Sequence, residues 1–116
     1  MTSLDSDRIA DIYALLYQMG AAPTYRGFAQ AAYAVLISLK EPECLSLATK
    51  TLYPDVARQY NTSWKAVERN IRTLIAHIWG ANPDFLAELA QYPLVRKPTP
   101  TQFISILVAH ISYPAA

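Results

Sequence analysis

From Val67 onward, apolar side chains return at Ile71, Leu74, Ile75 and Ile78, and this spacing restricts the fold more tightly than any other feature of the chain. At about 100° per residue the five positions fall within an arc of about 100°, a helical stripe that has to be buried against other helices. Lys65, Glu68, Arg69 and Arg72 fall on the opposite side. Helical spacing recurs through the rest of the sequence. Ile9, Ile12, Tyr13, Leu16 and Met19 follow an acidic first turn suited to the positive end of a helix dipole, and Gly20 is expected to stop that helix. Ala21, Ala22 and Pro23 then connect to a second helix over residues 25–39, whose nearly continuous apolar surface predicts a central place in the core. A short third helix over residues 43–48 follows, then one that begins near Tyr53 and Pro54 and ends by Asn61. A long helix runs to Trp79, where Gly80 is expected to break it, and Pro83 starts a shorter one to Ala90. The Pro-rich stretch 93–100 predicts an exposed loop and residues 101–111 a last apolar helix. No convincing run alternates strictly between apolar and polar residues, so the expected architecture is all-α. It is a compact bundle of about six helices, forming a single domain over residues 1–116.

Composition excludes several classes of function. Hydrophobic residues make up 53% of the chain and charged ones 16%, a balance that favours a packed core over disorder. The longest apolar runs, residues 31–39 and 103–109, fall short of the roughly 20 residues that cross a bilayer. Asp5, Asp7 and Asp11 near the N-terminus do not suit a secretory signal, so no membrane and a cytoplasmic location are expected. Cys44 is the only cysteine, which excludes an internal disulfide and a thiolate cluster. His77 and His110 lie on different predicted helices without the carboxylate spacing of a metal site. The three glycines make no phosphate-cradling loop, and Ser63 has no strained elbow to make it a nucleophile. Neither a metal, a cofactor nor an enzyme is expected.

Within residues 49–79, and most clearly over 53–79, the pattern is that of a helix-turn-helix. Ala57 supplies the small side chain needed where two helices approach, and Asn61 tolerates the left-handed backbone of a tight turn. Thr62 or Ser63 can cap the second helix. Charge points the same way. The formal net charge is only +1, yet residues 50–72 carry five cations (Lys50, Arg58, Lys65, Arg69, Arg72) against Asp55 and Glu68. Lys65 and Arg69 are like charges one turn apart, and Lys65 sits near the positive end of its helix dipole; an external anion would relieve both costs. Double-stranded DNA, read by Lys65, Glu68, Arg69 and Arg72 in the major groove, supplies such an anion. The alternative at this stage is an ordinary solvated helix face with Glu68 and Arg72 as a surface pair. Trp64 is either a phosphate or sugar contact or an apolar contact with the preceding helix.

The same residues carry a resemblance. Leu52-Tyr53-Pro54, Gln59-Tyr60-Asn61-Thr62 and Val67-Glu68-Arg69-Asn70-Ile71-Arg72 resemble the C-terminal DNA-binding domain of the stage-zero sporulation response regulator. The likeness runs over nearly the whole chain. Residues 18–20 and 23–28 look like that domain's first inter-helix loop, and Lys97-Pro98-Thr99 with Phe103-Ile104 look like its last loop and helix. The resemblance implies a six-helix regulator of transcription that binds promoter boxes, often as paired copies, and touches the RNA polymerase sigma factor. A homodimer on DNA is among its implications. Glu68, Arg69 and Arg72 match positions that face DNA; Ala66 and Thr73 stand where the family commonly has Arg and His. The expected DNA-facing set is Trp64, Lys65, Glu68, Arg69, Arg72 and Thr73, with Lys50 and Arg58 as peripheral phosphate contacts. The family's regulators also carry an N-terminal receiver domain, and these residues are expected to contain none. A rival expectation is a helical module that binds or antagonises a full-length regulator or sigma factor.

Overall fold

The computed structural model describes residues 2–113, and among these the chain forms six α-helices and no strand. Helix α1 (Ser3–Gln18) starts at a reciprocal cap, with the Thr2 side chain accepting from the Asp5 amide and the Asp5 carboxylate accepting from the Thr2 amide. It ends at Gly20, which takes the left-handed conformation (φ 89°). There the amides of Gly20 and Ala21 close on Tyr17 and Leu16 as in a Schellman motif. Helix α2 (Arg26–Lys40) is the axis of the bundle: Phe28, Ala31, Ala32, Ala34, Val35 and Leu36 are buried. It packs against α1, α3 (Tyr53–Gln59), α4 (Trp64–Ala81) and α6 (Pro100–Ser112), with α5 (Pro83–Ala90) wedged between α4 and α6. The Lys40 ammonium donates to the buried Asp5 carboxylate at 2.8 Å and ties the last turn of α2 to the first of α1.

Four expectations need correction. The short third helix of residues 43–48 is instead a 3-10 segment (Pro42–Leu47) followed by one π-helical turn (Ala48–Leu52) that leads directly into α3. Thr51 holds that turn by donating to the Leu47 and Cys44 carbonyls at 2.9 and 3.3 Å. Gly80 does not break α4, which continues through Ala81. A lone glycine costs a helix only about 1 kcal/mol, whereas Pro83 forces the residue before it out of helical conformation. Asn82 (φ −155°, ψ 64°) therefore makes the stop and caps α5 by accepting from the Phe85 amide. Residues 26–28 are not loop but the first turn of α2. Finally, the 93–100 stretch is only partly exposed, because Pro98 and Pro100 are buried where the chain enters α6.

Candidate nucleic-acid interface

The junction of α3 and α4 is built from local chemistry. Ala57 and Val56 are buried in α3 against α4. Asn61 takes the left-handed conformation (φ 53°) just past the end of α3. The Thr62 amide donates to the Ala57 carbonyl at 3.0 Å and the Asn61 amide to Arg58 at 3.4 Å, which satisfies carbonyls that the end of the helix leaves free. Ser63, extended, accepts from the Ala66 amide at 3.2 Å and starts α4. Of the two predicted caps, Ser63 is the one used. Val67, Ile71, Leu74, Ile75 and Ile78 are fully buried, as the periodicity requires.

Contacts far apart in sequence fix the orientation of α4. A Cβ added to Gly27 would stand 2.2 Å from the Asn70 carbonyl oxygen, so α2 and α4 touch backbone to backbone at this crossing. Beside it the Asn70 side-chain Nδ2 donates to Oε1 of the buried Gln30 at 3.1 Å. Tyr60 at the turn donates to the Ala29 carbonyl at 3.2 Å, and the Tyr25 hydroxyl lies 3.2 Å from Nδ1 of His77. Elsewhere the Tyr53 hydroxyl of α3 lies 2.8 Å from that of Thr101 in α6. Burial pushes the Tyr53 phenol above its ordinary range, and burial does the same at Tyr60. Both phenols stay protonated at physiological pH.

The expected DNA-facing residues separate into groups. Lys65, Arg69, Arg72 and Thr73 are exposed on α4, with Glu68 half-buried beside them. Arg72 donates to Glu68 at 3.1 Å one turn away, so these two charges satisfy each other. Thr73 donates to the Arg69 carbonyl at 3.0 Å. Trp64 is half-buried and packs against the core, and the Lys65 ammonium lies 5.8 Å from its ring centre. That cation–π contact offsets part of the cost of placing Lys65 in the first helical turn. Lys50 is exposed in the π-helical turn before α3. Arg58 pairs with Asp55 and lines a separate groove with Lys40 and Glu41, so it is not gathered with Arg69.

The sequence places Gly27 in an expected loop and Tyr60 in a family motif, but nothing in it marks Gly27, Gln30 or Tyr60 as residues that set the pose of α4. The Arg26-Gly27-Phe28 triplet was visible, but a glycine carries no mark of the distant backbone it admits.

Against known families, the model described as the C terminal of sporulation initiation factor Spo0A matches residues 12–111. The chain belongs to that family. The Spo0A C-terminal family is a DNA-binding, regulatory domain of a sporulation regulator rather than an enzyme. Its matched span takes in all of α2 through α5, including the complete α3–turn–α4 unit and the Gly27 crossing. Among the described residues no helix is long and apolar enough to cross a membrane.

Proposed function

We propose that this protein is a sequence-specific, double-stranded-DNA-binding regulator of transcription that acts in the cytoplasm, with α4 as the helix entering the major groove. The observation that carries this reading is the exposed face of α4. It presents Lys65 and Arg69, neither within ion-pairing distance of a carboxylate among the described residues, on a helix held by backbone contact to the core. A guanidinium reads guanine through two parallel hydrogen bonds, and a lysine early in the helix neutralises phosphate. Arg69 is the base-reading residue and Lys65 a phosphate contact. Glu68 and Arg72 act as a pair in which each restrains the other. Trp64 serves as a platform for Lys65. Lys50 stays a peripheral phosphate contact. Arg58, turned to another groove, is the weakest member of the set. Fluorescence anisotropy with a duplex carrying a promoter box of the family, beside a scrambled duplex, tests the reading. Preference for the box with a steep salt dependence supports it, and equal absence of binding to both at low salt overturns it.

A second reading draws on the Glu68–Arg72 pair and on Ala66, which leave fewer free donors on α4 than a strongly DNA-binding helix offers. In it the protein binds a full-length regulator or an RNA polymerase sigma factor through its helical surface. Capture of such a partner that persists in Arg69→Ala favours this reading over the first. The family reading also includes a homodimer on paired boxes, and a second bound copy in sedimentation with a two-box duplex supports it.

A further inference from the structure

We propose that Arg26, at the start of α2, is a second anchor on the same DNA: it binds one backbone phosphate at the margin of the α4 footprint, in a groove that the base-reading Arg69 also lines. The proposal rests on the DNA-binding reading above and adds to it a residue from outside the helix-turn-helix.

A groove of about 480 Å³ lies where the start of α2, the Tyr60–Thr62 turn and the Ala66–Asn70 stretch of α4 converge. Arg26 and Arg69 stand among its walls, with Thr24, Thr62 and Asn61 as neutral hydrogen-bonding neighbours, and no carboxylate lines it. The carboxylates that do form ion pairs are committed elsewhere: Asp5 to Lys40, Asp55 to Arg58 and Glu68 to Arg72. Two cations facing one groove without a counter-charge repel each other, and an anion seated at Arg26 offsets that repulsion. Phosphate is the anion that suits the Arg26 guanidinium in a groove made more positive by Arg69, because the planar fork meets two of its oxygens at once, and hydroxyl and amide donors complete such contacts.

The seat is also held still. The Gly27–Asn70 backbone contact joins the residue after Arg26 to the residue after Arg69, so the two arginines leave a single rigid crossing. The Gln30–Asn70 and Tyr60–Ala29 hydrogen bonds brace the adjoining walls. Because Arg69 belongs to both the groove and the exposed face of α4, a phosphate in the seat and a base under α4 belong to one duplex.

The test compares wild type, Arg26→Ala, Arg26→Lys and Arg69→Ala on box and unrelated duplexes across a salt series, with circular dichroism and melting to show that each variant folds. Arg26→Ala is expected to weaken both duplexes alike and to lower the slope of log affinity against log salt by about 1. The extra loss of affinity between about 50 and about 200 mM salt then shrinks roughly three- to fourfold. Arg26→Lys restores the slope. A scan of single neutral methylphosphonates finds one position that weakens wild type and adds nothing to Arg26→Ala. Inorganic phosphate alone binds only weakly. Wild-type affinity and slope in Arg26→Ala, with Arg69→Ala impaired, overturn the phosphate seat and leave the DNA reading standing. No binding by wild type overturns both. Tight, Arg26-dependent capture of inorganic phosphate, with no change in DNA affinity, overturns the seat in favour of a small-anion site.

Discussion

At the scale of single residues, the exposed side of α4 holds two kinds of charge. Arg69 has no carboxylate partner among the described residues, whereas Arg72 is shared with a Glu68 that is itself only 28% exposed at the side chain. A free guanidinium offers its donors to a guanine edge at no internal cost, so Arg69→Ala is expected to weaken binding to the preferred box by about 1–3 kcal/mol while unrelated duplexes lose less. The paired arginine behaves differently. Glu68→Gln removes the charge that restrains Arg72, and the expected result is tighter binding to unrelated DNA, a steeper salt dependence and a smaller ratio of specific to non-specific affinity. Anisotropy titrations on the two duplexes measure all three. A Glu68→Gln protein with unchanged non-specific affinity would remove the restraining role of the pair.

At the scale of elements, the turn between α3 and α4 is the part most legible in sequence, because its chemistry is local. Asn61 in the left-handed region costs a residue with an ordinary Cβ about 1–2 kcal/mol, so Asn61→Ala is expected to lower stability by about 1 kcal/mol while Asn61→Gly is tolerated. Ser63→Ala removes the single side-chain cap of α4 and should cost about 1 kcal/mol. Urea unfolding of the three variants checks both statements, and an Asn61→Ala protein as stable as wild type would show that the left-handed residue bears no cost here. The same local reasoning failed at Gly80 because it weighed one residue's propensity. In the chain α4 is long, its buried stripe continues to Ile78, and the Asn82–Pro83 step supplies the stronger stop. Residues 42–52 were illegible for another reason. Their irregular helical turns depend on the Thr51 hydroxyl bonding back to Leu47 and Cys44, contacts that apolar periodicity does not encode.

At the scale of the whole molecule, what matters is how α2 holds elements distant in sequence, and here the sequence says least. Gly27 illustrates the gap: only the fold brings the Asn70 backbone to its side. Gly27→Ala has to push two helix backbones apart, and overpacking of this kind costs about 1–3 kcal/mol. The displaced helix is α4, so the variant is expected both to melt lower and, at temperatures where it is folded, to lose discrimination between box and unrelated duplexes. A lower melting point with intact discrimination would separate the packing role of Gly27 from the pose of α4.

The other long-range tie is electrostatic. Asp5 is buried at the start of α1, and the hydrogen bond from Lys40 at the end of α2 is the largest influence holding its carboxyl below the usual range, ahead of the burial that opposes it. A carboxyl whose pKa is lowered by folding adds stability that is fully present above its unfolded value and is lost as pH falls through the folded one. Asp5→Asn is therefore expected to be less stable than wild type at pH 7. The two proteins should converge as the pH drops below about 4, where the unfolded carboxyl takes up its proton. Urea midpoints measured stepwise from neutral pH to about pH 3 give the comparison. A difference that stays constant over that range would mean that the Asp5 side chain acts through its neutral hydrogen bonds to Thr2, and that α1 and α2 are joined by their apolar faces alone.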